Sequence, residues 1–166
     1  MRPVRALSVG ASVALAIGTS VVPAHAAQPV VVAVDGTLCD LTKTLAAGAA
    51  SVTCLIPPGG DPHSYRMKPS DRSQIAKSDL VLHIGFGLTP SAKKLQSPGT
   101  VVAVGEVALP SYGGSDPHIW HDPANSAAMV RVISSFLTPV LPSSDRAALQ
   151  QRTARAVAVL QALQSW

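Results

Sequence analysis

The chain has 166 residues, 47% of them hydrophobic and 13% charged, and a formal net charge of +4. That length makes one domain of ordinary size and is short for two. So small a positive charge, with no basic segments interleaved with aromatic residues, argues against a nucleic-acid or anionic-membrane partner.

The mean hydropathy of +0.30 is high for a soluble chain, and the first residues explain much of it. Arg2 and Arg5 precede an apolar run from Ala6 to Val22 that Gly10 and Gly18 interrupt, and Ala24-His25-Ala26 has the A-x-A form. This pattern predicts a signal peptide over residues 1–26, cleaved after Ala26, and a soluble product that is periplasmic or secreted. A membrane anchor, the competing reading, needs a longer unbroken apolar span and a stop-transfer flank. No cysteine follows the run closely, so no lipid attachment point is expected there. The exported product keeps about 140 residues, within the range of a single core.

Val30–Val34 is a continuous apolar run, as expected of a strand buried on both faces. Asp35-Gly36-Thr37 turns it, and Leu38, Leu41, Thr42 and Leu45 recur at helical spacing, with Gly48 as the expected C-terminal cap. Ser51–Ile56 is the second β-rich run, ended by Pro57-Pro58-Gly59-Gly60. Ser70 is the expected N-cap of a short helix to Lys77. A third strand runs over Leu80–Ile84 and stops at Gly85 and Gly87; a short helix over Thr89–Leu95 and a fourth strand over Thr100–Val104 follow. Strands alternating with helices predict an α/β fold, a parallel four-stranded sheet with flanking helices and right-handed crossovers.

The last third reads as helical. Asp122 is a natural N-cap with Pro123 at the first helical position, leading to about Leu137, where Pro139 and Pro142 break the helix. Ser143-Ser144-Asp145 opens a second helix that runs to the end, with Leu149, Ala156, Leu160 and Leu163 near helical spacing. Cys39 and Cys54 are the only cysteines, and in an oxidising compartment a disulfide is the expectation. The rival, a pair of soft metal ligands, lacks C-x-x-C spacing.

One local device occurs twice, as Asp61-Pro62-His63 and Asp116-Pro117-His118. Proline fixes its own φ and restricts the residue before it, so each imidazole hangs from a stiff loop with little freedom to lose on binding a transition metal. His63 follows the second strand and His118 the fourth. Ligands of parallel sheets bind beyond the carboxyl ends of the strands, which puts both histidines on one edge and makes them one candidate site. His121, three residues after His118, is a candidate third ligand, although the helix expected from Asp122 should turn it away. His83, inside the third strand, is expected to be packed or hydrogen-bonded. Asp61 and Asp116 either orient the imidazoles or cap the loop backbone. Tyr65 and Trp120 either wall the site or belong to the core.

Pro57-Pro58-Gly59-Gly60-Asp61-Pro62-His63-Ser64-Tyr65, Lys68-Pro69-Ser70-Asp71, Ser78-Asp79-Leu80-Val81 and Asp116-Pro117-His118-Ile119-Trp120-His121-Asp122-Pro123, in this order, resemble the zinc/manganese solute-binding proteins of bacterial ABC transporters. The resemblance covers roughly residues 29 to 166. It implies two α/β lobes joined by a long helix, with the metal in the cleft between them. On that reading residues 27–142 are the N-terminal metal-binding lobe, and 143–166 are the start of a truncated inter-lobe helix. The resemblance carries His63 and His118 over as metal ligands for Zn2+, with Mn2+ as the other candidate, and implies a monomer that delivers its ion to an ABC permease. The family's remaining ligands, a His or Glu and an Asp, belong to the second lobe. The chain departs from the pattern in two places: Ser111-Tyr112-Gly113-Gly114-Ser115 replaces a long His-rich loop, and His121 stands where leucine is usual. Two other functions compete: a small exported zinc hydrolase on His63, His118 and His121, which lacks an H-E-x-x-H helix or G-x-S-x-G elbow, and a remnant without function.

Overall fold

The computed structural model describes residues 27–166, so the expected signal peptide lies outside the described residues. The strands are β1 (Val30–Ala33), β2 (Ser51–Cys54), β3 (Leu80–His83) and β4 (Thr100–Ala103), all parallel, in the order β2-β1-β3-β4. This is the α/β sheet the sequence predicts. Each strand is shorter than its apolar run because the ladder ends before the hydrophobic residues do. Val34 and Leu55 still donate to Leu82 O and Ala33 O across the sheet, at 2.9 and 3.0 Å.

Alternation assigns the two faces. Val31, Ala33, Leu80, Leu82 and Val102 point into the larger core layer, and Val32, Val34 and Val81 into the smaller one. The larger layer is covered by α1 (Gly36–Ala46), α4 (Pro123–Val140) and α5 (Ser143–Gln164), and the smaller by α2 (Pro69–Ile75) and a 3-10 turn, Pro90–Ala92. That turn is all that forms of the helix expected over Thr89–Leu95.

Local chemistry explains the remaining differences. Asp35 caps α1, its Oδ1 accepting the Leu38 N–H at 3.0 Å, and the helix ends on Ala47 in the left-handed region at φ 46°, one residue before Gly48. Ser70 is not the cap of α2. Pro69 takes the first helical position, and the Asp71 carboxylate reaches back to the Lys68 N–H at 2.7 Å. A helix missed in the sequence, α3 (Val104–Ala108), takes the last residue of the fourth apolar run. It fits because Gly105 lies against Ile84 O, where an added Cβ would stand 2.7 Å away. α4 passes through Pro139, since one missing N–H in the last turn removes one bond and the Leu141 N–H still reaches Leu137 O at 2.9 Å.

The helix α5 lies along α4 and α1. Leu149 and Val157 are its buried residues, whereas Leu163, expected in the same stripe, is 55% exposed. Arg152 donates from Nε to Leu45 O at 2.6 Å and caps the carboxyl end of α1. Cys39 on α1 and Cys54 at the end of β2 are disulfide-bonded, their Cα atoms 5.6 Å apart. Among the described residues no helix is long and apolar enough to cross a membrane.

Candidate metal centre

The two Asp-Pro-His loops leave the outer strands of the sheet and bend inward over its carboxyl edge. His63 follows β2, and His118 follows β4 by way of α3. They meet: His63 Nε2 and His118 Nε2 are 3.0 Å apart, with ring centroids at 5.0 Å. Each loop is closed the same way. Asp61 Oδ1 accepts the His63 backbone N–H at 2.9 Å, and Asp116 Oδ1 accepts that of His118 at 3.0 Å. The proline between them has no N–H to compete, so the aspartate reaches across it to the histidine amide. Asp116 does more, since the same Oδ1 lies 2.6 Å from His118 Nδ1. That contact places the proton on Nδ1 and leaves the Nε2 lone pair facing His63.

Hydrogen bonds hold both carboxyls below the usual carboxylate range. For Asp61 the Ser64 hydroxyl contributes most and then the His63 amide; for Asp116 it is the His118 amide and then the His118 ring. Two imidazole nitrogens so close need a proton or a cation between them. Tetrahedral zinc with Zn–N bonds of 2.0–2.1 Å holds two nitrogens about 3.3 Å apart, so the pair stands near the spacing of a chelate. Oriented nitrogen donors with accessible lone pairs fit a divalent transition metal.

A cavity of about 210 Å3 adjoins the two histidine loops, lined by neither imidazole itself. Asp35 lines it from the end of β1, Gly60 and Pro62 from the His63 loop, Leu88 from the loop after β3, and Trp120 from the His118 loop. Trp120 stands edge-on to His118, with centroids 5.2 Å apart. Asp35 is 4% exposed, and its Oδ2 has no hydrogen-bond partner. Burial pushes its carboxyl up to about 6, against the amides of Leu38, Asp35 and Ile84, which lower it.

The family model described as zinc-uptake complex component A, periplasmic (ZnuA), matches residues 31–166. The chain belongs to this family. Its relatives include the zinc-binding protein TroA of Treponema pallidum, 31% identical over 72% of this chain and 42% of TroA. The manganese-binding lipoprotein MntA of Halalkalibacterium halodurans is 33% identical over 76% of this chain and 44% of MntA. The solved structure of the periplasmic zinc-binding protein TroA superposes with a TM-score of 0.75 at 27% identity, covering 83% of this chain and 53% of that one. The chain thus spans about half the length of the relatives it matches.

Within this ZnuA-family chain the structure sorts the remaining candidates. His121 is not brought to the pair. It closes the 3-10 turn Ile119–His121, is exposed, and has its ring 6.3 Å from that of His118. Among the described residues no third His, Cys, Asp or Glu gathers with His63 and His118. In the turn the His121 N–H bonds back to His118 O, at 3.3 Å, and the His121 ring lies 5.5 Å from that of Trp120. His83 is partly buried at the end of β3, and burial holds its imidazole below the usual value. Tyr65 does not wall the site. Its hydroxyl lies 2.7 Å from Asp71 Oδ2, and burial, chiefly, pushes the phenol up to about 12. Asp35 is the residue that sequence reasoning passed over, as a turn former. Its signal was a carboxylate where a parallel strand enters a helix, at the edge where ligands collect.

Proposed function

We propose that this chain binds one divalent ion, zinc or manganese, through His63 Nε2 and His118 Nε2 for metal uptake by an ABC transporter. The observation that carries the reading is the facing pair of Nε2 atoms at 3.0 Å, one oriented by Asp116. The metal-binding names of TroA and MntA support it. In this reading residues 27–142 form the N-terminal lobe, and 143–166 begin the helix that links it to a second lobe. The chain acts as an exported monomer after cleavage of residues 1–26, hands its ion to a membrane permease, and catalyses nothing.

Two imidazoles occupy only half of a zinc site, which usually takes four ligands, so the lobe alone holds metal more weakly than a closed two-lobed protein would. Nitrogen donors favour zinc over manganese. His121, outside the pair, takes no part. Calorimetric titration with zinc, wild type beside the His63→Ala, His118→Ala double variant, tests the reading. One equivalent bound by the wild type and none by a folded double variant is the expected result. Equal binding by both overturns it.

A further inference from the structure

Capping α1 does not require a charge at position 35. Asparagine, serine or threonine caps a helix about as well as aspartate, and a carboxylate withdrawn from water is costly unless a cation or several donors meet it. Asp35 spends Oδ1 on the Leu38 N–H and leaves Oδ2, in a side chain 4% exposed, without a partner. Among the described residues no lysine or arginine forms an ion pair with it, and none lines its cavity.

The cavity itself points to what is missing. Asp35 lines it together with the loops of both histidines: Pro62 precedes His63, and Trp120 follows His118 by two residues. It opens where β1 and β3 lie side by side and the crossovers change direction along the sheet, the place where parallel sheets hold their ligands. The facing imidazoles are neutral when they bind a metal and bring no charge to balance it. Asp61 and Asp116, the nearest carboxylates in sequence, are exposed and already engaged with their own loops, Asp61 with the His63 amide and Asp116 with the His118 amide and ring.

We propose that Asp35 is the anionic inner wall of the metal site, stabilising by its charge, across the cavity, a divalent cation held by His63 and His118. The inference rests on the histidine pair being the metal site. Asp35 is not gathered with the pair as a third ligand, so its effect is one of charge and falls on any divalent ion alike. With a carboxyl value of about 6, the side chain is largely ionised at neutral pH, as the role requires.

The test uses manganese chloride and zinc chloride separately, by calorimetry, on the wild type, Asp35→Asn and Asp35→Ser. Both variants keep a side-chain acceptor for the Leu38 N–H, and their melts by circular dichroism check the fold. Affinity for each metal should fall about tenfold or more in both variants, within the 10–100-fold range typical of groups standing behind ligands. Affinities unchanged for both metals, with binding still abolished by the double histidine variant, would show Asp35 to be a cap alone. A wild type that binds neither ion, or a double histidine variant that binds normally, removes the site itself and this inference with it.

Discussion

Replacing Asp35 by asparagine keeps an oxygen for the Leu38 N–H and takes the charge away, so it isolates what the buried carboxylate does to stability. The folded carboxyl stands at about 6, against an ordinary 3.8. An acid whose folded value is raised holds its proton more tightly in the native state. Its contribution is therefore fully present only below the ordinary value, by about pH 3, and is lost as the pH rises through 6. A shift of about two units corresponds to about 3 kcal/mol. The stability of the wild type relative to Asp35→Asn should thus fall by about 3 kcal/mol between about pH 3 and pH 7.5. The buried amide adds an offset of its own, of about 1–3 kcal/mol, but that offset does not vary with pH. Urea unfolding of both proteins across this range, with a chelator present to keep metal off, gives the difference directly. A difference flat in pH would mean that Asp35 is solvated or paired in solution and would refute the reasoning.

Two further outcomes follow from the loops and their anchors. Replacing Cys39 and Cys54 together by serine opens a bond across a sequence separation of 15 and should lower stability by about 3 kcal/mol; an unchanged urea midpoint would contradict this. Asp116→Asn loses the anion on His118 Nδ1 and should weaken zinc binding about 10–100-fold by calorimetry, whereas Asp61→Asn, at a residue that meets the His63 amide and the Ser64 hydroxyl but no imidazole nitrogen, should change it little. Equal effects of the two would show that Asp116, too, merely shapes its loop.

The strands and the long helices were legible because their signals are local. Four apolar runs separated by turn residues left little choice but a parallel sheet, and Asp122-Pro123 marked the start of α4 to the residue. What stayed hidden depends on contacts between distant segments. Of α3, only Val104 carried a reading, as the last residue of the fourth strand; the Gly105 backbone lying against Ile84 decides otherwise. Pro139 reads as a breaker in sequence, but it is the next-to-last residue of α4, where a proline costs one bond. The histidine pair was legible through its repeated tripeptide, whereas the 3-10 turn Ile119–His121, which holds the His121 ring 6.3 Å from that of His118, was not. Asp35 carried no motif, for its meaning comes from the cavity that two remote loops build over it.

Sheet order explains why those loops must be stiff. β2 and β4 are the outer strands, so the histidines start from opposite sides of β1 and β3 and reach toward each other across the middle. The bracing lies outside the Asp-Pro-His tripeptides. On one side Tyr65 holds Asp71, and the Ser91 hydroxyl donates to Tyr65 O at 2.8 Å. On the other, the first turn of α4 grips the loop: Asn125 Nδ2 donates to Ile119 O at 3.1 Å, and the Ser126 hydroxyl to Trp120 O at 2.8 Å. Holding the rings in place before a metal arrives removes ordering entropy from the binding step. On the proposed reading a metal would enter with little rearrangement, leaving most of the attraction between ion and imidazole for affinity. The cap at Asp122 thus serves the site at one remove, because it starts the helix whose first turn fixes the His118 loop.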